Sequence, residues 1–144
     1  MKVKDVMTAN PTCCTPSTPL REVARMMVDC DCGEIPVVEN EGSRHLVGVL
    51  TDRDITVRTV AQGINPLETT AGEVMTGSPI SVTPATEMDD CCNLMEENRI
   101  RRVPVLDESG SLCGIVSLAD VALRGRDRKD TLEVVKEVSQ PAHH

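Results

Sequence analysis

The chain contains no phenylalanine, tyrosine or tryptophan. Any heterocyclic ligand must therefore be held by aliphatic side chains and main-chain hydrogen bonds, because there is no aromatic face to stack on. Histidine is scarce too. His45 falls in a loop and His143 and His144 close the chain, and no Ser-His or Cys-His partnership can be built around them, so no catalytic residue is assigned. Positive charge is in short supply: 15 Lys and Arg against 23 Asp and Glu leave a net charge of -8. That balance argues against a nucleic-acid or anionic-membrane surface, since both depend on a basic field. No stretch approaches the ~20 apolar residues of a membrane span. The start, Met1-Lys2-Val3-Lys4-Asp5, turns polar before a signal-peptide apolar region could form. The expected location is the cytoplasm.

What the chain does have is an internal repeat. Asp5-Val6-Met7-Thr8 returns as Glu73-Val74-Met75-Thr76, Thr15-Pro16 as Thr83-Pro84, and Ile35-Pro36-Val37-Val38 as Val103-Pro104-Val105-Leu106. Gly48-Val49-Leu50-Thr51-Asp52-Arg53-Asp54-Ile55 returns as Gly114-Ile115-Val116-Ser117-Leu118-Ala119-Asp120-Val121. The offset is 68 residues for the first three matches and 66 for the last, because the loop around Ser43-Arg44-His45 is two residues longer than its counterpart. Two copies are too few for a solenoid, so the expectation is a pseudo-two-fold pair sharing one core. A copy of about 60 residues buries only about 60% of its unfolded surface, so the two should fold together.

Each copy reads as strand, helix, strand, strand, helix, which gives an α/β (α+β) fold. The helix of the first copy has Thr18 as its expected cap and Leu20, Val23, Ala24 and Met27 at helical spacing; that of the second has Thr86 as cap, Asp89 three residues on, and a stripe of Met88, Cys91, Cys92 and Met95. Two β-rich runs follow, Ile35 to Val38 and Leu46 to Leu50, or Val103 to Leu106 and Leu112 to Val116, with Gly42 or Gly110 in the turn. The last helix of each copy starts at Thr51 or Ser117. The organisation expected is a first repeat over 1–63, a linker over 64–72, a second repeat over 73–125, and a charged segment with a terminal helix over 126–144 carrying Leu132, Val135 and Val138 on one side.

Seven cysteines, an odd number with adjacent pairs at Cys13-Cys14 and Cys91-Cys92, do not resemble a secreted disulfide framework. Cys30-x-Cys32 with His45 raises a zinc site, yet no pair has the usual gap followed by a matching pair, so no metal ligand is assigned. The repeat supplies a packing reading. Cys91-Cys92 stand where the first copy has Val23-Ala24, and Cys113 where it has Val47.

Asp5-Val6-Met7-Thr8, Arg101-Arg102-Val103-Pro104-Val105 and Leu50-Thr51-Asp52-Arg53-Asp54-Ile55, set in a doubled order of elements, resemble the CBS-domain pair, or Bateman module, over roughly residues 1–125, and most of all its stand-alone bacterial members. The resemblance implies two tandem CBS repeats packed as a pseudo-two-fold pair. It also implies clefts that bind adenosine-containing molecules, AMP, ADP, ATP or S-adenosylmethionine, no required cofactor, a homodimer, and a separate protein partner that reads the bound state.

The residues supply a chemical rationale. A Gly-apolar-apolar-Thr-x-x-Asp run delivers a strand to a helix start, where backbone N–H groups favour phosphate, a hydroxyl donates, and a carboxylate one turn on can accept a ribose diol. By resemblance, Asp54 and Asp120 are the ribose ligands, Thr51 and Ser117 the phosphate ligands, and Val49 and Ile115 part of the adenine pockets. Ile100 and Pro79 join the first cleft, and Cys32 and Pro11 the second. The same Ser/Thr-x-x-Asp pattern is also a capping box with no ligand at all. The copies differ in charge: Arg99, Arg101 and Arg102 precede Val103-Pro104 where Asp31, Gly33 and Glu34 precede Ile35-Pro36. The resemblance, in whose nucleotide-binding members basic residues before this strand face the phosphates, implies that Arg101 and Arg102 face phosphate in the second cleft, while Arg53 and Arg58 are the cations near the first. Three readings stand: an adenine-nucleotide sensor, a docking module with vestigial clefts, and a cysteine-based zinc or redox sensor.

Overall fold

The structure, a computed structural model, describes residues 1–124 and 136–139. The first copy contains β1 (Thr8–Ala9), α1 (Leu20–Cys30), β2 (Glu34–Val38), β3 (Leu46–Thr51) and α2 (Asp52–Arg58); the second contains a short α3 (Ala71–Val74), β4 (Thr76–Gly77), α4 (Met88–Asn98), β5 (Arg102–Leu106), β6 (Leu112–Ser117) and α5 (Leu118–Arg124). The doubled order read from the sequence is present. Ile35 lies opposite Leu50 and Val37 opposite Gly48 in the antiparallel β2–β3 hairpin. Burial of Ile35, Pro36, Val37 and Val38 in succession explains why this run is apolar without alternation.

The leading strands are exchanged. β4 of the second copy pairs with β3 of the first, setting Thr76 opposite Val49, while β1 of the first pairs with β6 of the second, setting Thr8 opposite Ile115. The sheets are thus β2-β3-β4 and β1-β6-β5. The chain divides accordingly into two compact units. One, here the α1 unit, is Pro11–Pro79 with Ser109–Leu112; the other, the α4 unit, is Met1–Asn10, Ile80–Glu108 and the described residues from Cys113 on.

Two apolar clusters replace the single core expected. The α1 unit packs Cys14, Leu20, Val23, Met27, Ile35, Val37 and Leu50 with Ala71 and Val74 of the second copy. The α4 unit packs Met88, Cys91, Cys92, Met95, Val103, Val105 and Val116 with Val3 and Val6 of the first. Neither copy closes its own core, which is the physical reason the two must fold together. Val138 joins the α4 unit's cluster; Leu132, Val135 and the segment 125–135 lie outside the described residues.

The exchange also corrects the helix caps. Thr18 and Thr86 do not cap α1 and α4, whose N-cap positions are Pro19 and Glu87 without a side-chain bond. Instead Thr18 Oγ1 accepts from the Thr15 N–H at 3.0 Å and Thr86 Oγ1 from the Thr83 N–H at 3.0 Å, closing a turn before each helix. The helix N–H groups are met by carbonyls distant in sequence: Leu20 donates to the Thr69 carbonyl at 3.0 Å and Met88 to the Met1 carbonyl at 2.9 Å. Such a main-chain partner makes a side-chain cap unnecessary.

Ala24, expected in the α1 stripe, is exposed beside Arg21, Arg25 and Val28, so Cys92, which is buried, has no buried counterpart in α1. The left-handed residue of the first hairpin turn is Arg44, with φ of 55°, and not Gly42; Gly110 fills that role in the second copy with φ of 83°.

Candidate functional site

Each copy ends its hairpin directly in a helix, and the junction is a reciprocal capping box. In the α1 unit the Thr51 N–H donates to Asp54 Oδ2 at 3.1 Å and the Asp54 N–H to Thr51 Oγ1 at 3.0 Å. In the α4 unit the Ser117 N–H donates to Asp120 Oδ2 at 3.0 Å and the Asp120 N–H to Ser117 Oγ at 3.1 Å. One carboxylate oxygen of each Asp is thereby fixed by main chain, and each hydroxyl, already accepting, keeps its proton to donate. Ser117 is buried and Thr51, Asp54 and Asp120 are half-buried.

Arg58 is a residue whose role the sequence left open. Its Nη1 donates to the Val74 carbonyl at 2.7 Å and its Nη2 lies 3.7 Å from Asp54 Oδ1. It ties the Asp54 carboxylate to the end of α3 and is not a free cation at the helix start.

The strand entrance is bonded to the helix start in both units. The Leu118 N–H donates to the Arg101 carbonyl at 2.8 Å, and at the matching point the Asp52 N–H donates to the Gly33 carbonyl at 2.9 Å. The α4 unit therefore sets Arg101 main chain against the Ser117–Asp120 junction, with Arg101 exposed and Arg102 half-buried at the start of β5. The α1 unit reverses the chemistry more fully than the sequence indicated. A Cβ placed on Gly33 would stand 3.0 Å from Asp52 Oδ2, so an acid occupies the space that a side chain at this position would take. Asp52 was legible in the sequence only as the partner of Leu118 in the repeat alignment.

Val49 is half-buried on β3, between Pro36 and Thr76 in register, and Ile115 is buried on β6 opposite Thr8. Ile100 packs partly on the α4 unit's cluster, and Cys32 partly on that of the α1 unit. Pro11 and Pro79 belong to the α1 unit and each follows a residue in left-handed backbone, Asn10 and Ser78, both with φ of 50°. The glycines that open the two runs have a structural reason: a Cβ on Gly48 would stand 2.8 Å from the Thr76 carbonyl oxygen, and one on Gly114 2.5 Å from Met7 Sδ. At Gly48 the exchanged strand approaches too closely for a side chain, whereas at Gly114 the nearest obstacle is the flexible Met7 side chain.

All seven cysteines are free thiols. Burial pushes Cys14 and Cys91 up to about 12, with the adjacent Cys13 and Cys92 adding to it. Burial also raises Cys13 and Cys113. Protonated thiols are poor nucleophiles and poor metal ligands. Among the described residues no three His, Cys, Asp or Glu side chains gather as a metal-binding group, and no helix is long and apolar enough to cross a membrane.

Comparison with known proteins places the chain. The CBS domain model matches residues 3–58 and 71–125, and the chain belongs to the CBS-domain family as a tandem pair. It is 37% identical over 142 residues to the CBS domain-containing protein YhcV of Bacillus subtilis, covering 99% of this chain and 98% of that protein. It is 36% identical over 138 residues to Hypoxic response protein 1 of Mycobacterium tuberculosis, covering 96% and 94%. The crystal structure of Hypoxic Response Protein I, which has two coordinated zinc ions, aligns with a TM-score of 0.77 over 86% of this chain and 98% of that one. CBSX2 in complex with AMP aligns with a TM-score of 0.69 at 26% identity, covering 96% and 98%. The CBS domain pair of MJ0100, in complex with 5'-methylthioadenosine and S-adenosyl-L-methionine, aligns at 0.74 with 26% identity, covering 85% and 94%.

Proposed function

We propose that this protein is a non-catalytic regulatory module of the cytoplasm that binds an adenosine-containing nucleotide and passes its bound state to a protein partner. The observation that carries the reading is the bond from the Leu118 N–H to the Arg101 carbonyl. It sets the Arg101 main chain against a junction already furnished with a fixed carboxylate and a hydroxyl. Asp120 accepts the ribose diol, Ser117 donates to phosphate, Arg101 and Arg102 supply its counter-charge, and Ile115 contributes to the base pocket. Thr51, Asp54, Val49 and Pro79 belong to the other pocket, where Asp52 and Glu34 disfavour phosphate-rich ligands. The complexes of CBSX2 with AMP and of MJ0100 with S-adenosyl-L-methionine support the ligand class. A ligand that binds one arrangement of the pair better shifts its population, and a homodimer or partner docked on the pair reads that shift. Cys14, Cys91 and Cys92, which are buried, are assigned to packing, consistent with the raised thiols of Cys14 and Cys91.

Thermal melting followed by an extrinsic dye tests the assignment, since a ligand at 100 times its Kd adds about 2.7 kcal/mol of stability. Asp120→Ala is expected to lose most of the stabilisation by AMP, its affinity falling by about 1.5–3 kcal/mol with the loss of a charged acceptor. Asp89→Ala, on the exposed first turn of α4, is expected to keep it. Each variant is compared with its own unliganded melt, because Asp120 also caps α5. Equal AMP stabilisation of wild type and Asp120→Ala removes Asp120 from the site.

A further inference from the structure

Each unit seats a methionine sulfur on a glycine. In the α1 unit a Cβ built on Gly48 would stand 2.7 Å from Met75 Sδ, and in the α4 unit one built on Gly114 would stand 2.5 Å from Met7 Sδ. The sulfur thus fills the space that a side chain on the glycine would take. Both methionines belong to the exchanged segments, Met75 directly before β4 and Met7 directly before β1. Met75 packs on the apolar cluster of the α1 unit and Met7 on that of the α4 unit. The arrangement is doubled with the repeat: Val6-Met7-Thr8 meets Gly114 as Val74-Met75-Thr76 meets Gly48.

These sulfurs are within reach of a small oxidant. Met27, Met88 and Met95 are buried, whereas Met7 and Met75 are half-buried. Hydrogen peroxide converts a thioether to a sulfoxide: a sulfur lone pair attacks one peroxide oxygen, an S–O bond forms, the O–O bond breaks and the other oxygen leaves as water. Methionine is oxidised and the peroxide reduced. The new oxygen is a hydrogen-bond acceptor, and the main-chain atoms nearest the two seats are the carbonyl oxygens of Thr76 and Thr8, which are acceptors as well. Neither can satisfy a sulfoxide, so the oxidised side chain turns out to water. Its departure leaves a hole that glycine has no side chain to fill, and such a hole is destabilising. The neighbouring strands have little else to hold them, β1 and β4 being two residues each.

We propose that Met7 and Met75 are matched oxidation sites, whose conversion to sulfoxide by a peroxide loosens the exchanged strands β1 and β4 and whose reduction by a methionine sulfoxide reductase restores them. Neither methionine is among the groups assigned to the nucleotide, so this oxidation chemistry is independent of ligand binding.

The test treats the full chain with hydrogen peroxide and then with dithiothreitol, which returns oxidised thiols to cysteine and leaves sulfoxides in place. Peptide mass mapping reads the oxygen added at each methionine, and melting followed by an extrinsic dye reads the consequence. Met7 and Met75 should each gain one oxygen, the melting temperature should fall by roughly 5 °C or more, and methionine sulfoxide reductase should restore it. Met7→Leu/Met75→Leu keeps both seats filled by an apolar side chain that peroxide does not attack, and its melting temperature should fall far less. Met26→Leu, at a half-buried methionine of α1, should fall as wild type does. Gly114→Ala supplies a second arm: its methyl fills the seat, so oxidation of Met7 leaves no hole and the total fall should be smaller than in wild type. Wild type that carries both sulfoxides and melts as before overturns the proposal. So does a Met7→Leu/Met75→Leu chain that falls as far as wild type, or a wild type whose Met7 and Met75 stay unoxidised while Met26 is converted. Should Met7→Leu/Met75→Leu fail to fold, Gly114→Ala decides, and a fall equal to that of wild type there overturns it.

Discussion

Gly48→Ala is expected to destabilise the protein by about 1–3 kcal/mol, the range for a methyl group forced into a filled site. The added carbon would stand 2.7 Å from Met75 Sδ and 2.8 Å from the Thr76 carbonyl oxygen. The methionine can turn aside, but the carbonyl belongs to β4, whose pairing with β3 is the exchange itself. Gly114→Ala is a matched control. Its added carbon would meet Met7 Sδ at 2.5 Å but the Thr8 carbonyl oxygen only at 3.2 Å, so the flexible side chain absorbs most of the conflict and the cost should sit at the lower end. Denaturant unfolding followed by circular dichroism measures both, as the chain has no Trp or Tyr to report. Equal stability of Gly48→Ala and wild type would contradict the packing described for the exchanged strand.

Replacing Arg101 and Arg102 together by Gln should lower ATP affinity strongly and leave adenosine affinity nearly unchanged. A hydrogen bond to a charged group is worth about 1.5–3 kcal/mol, so the loss of even one gives a ten- to hundredfold loss for ATP as the least expected scale. The salt dependence of ATP binding should flatten in the variant, because the screened charges are gone. Folding should survive: Arg101 is exposed, and the bond its carbonyl accepts from the Leu118 N–H is main chain and does not depend on the side chain. The pocket around Thr51 and Asp54, with Asp52 against Gly33, should take phosphate-rich ligands weakly in either protein. Two equal, equally salt-sensitive ATP sites in wild type would defeat the asymmetry, as would parallel loss of adenosine and ATP binding in the variant.

The element order was legible because it is local. The stripe Met88, Cys91, Cys92, Met95 is buried as its spacing requires, and both capping boxes form as Thr51-x-x-Asp54 and Ser117-x-x-Asp120 indicate. What the residues alone do not disclose is long-range. β1 and β4 have two residues each, too few for a periodicity, and their partners lie in the other copy. Thr18 and Thr86 mislead for the same reason: the carbonyls of Thr69 and Met1 that meet the helix N–H groups are distant in sequence. Ala24 is misread because a helical stripe one residue wider in α4 than in α1 cannot be told from spacing. Within the candidate site, the arginines stand out by contrast with Gly33 and Glu34, whereas Asp52 and Arg58 act through geometry that only the folded chain supplies.

The central claim, that the pair binds an adenine nucleotide, is tested most directly by calorimetric titration of the unmodified chain with AMP, ADP, ATP and S-adenosylmethionine. Saturable binding of at least one of them is predicted, with adenosine competing for the same site. Absence of binding by all four at ligand concentrations up to about 1 mM, which corresponds to a free energy of about -4.1 kcal/mol, together with a fully folded protein, would contradict the account and leave a docking module with vestigial clefts.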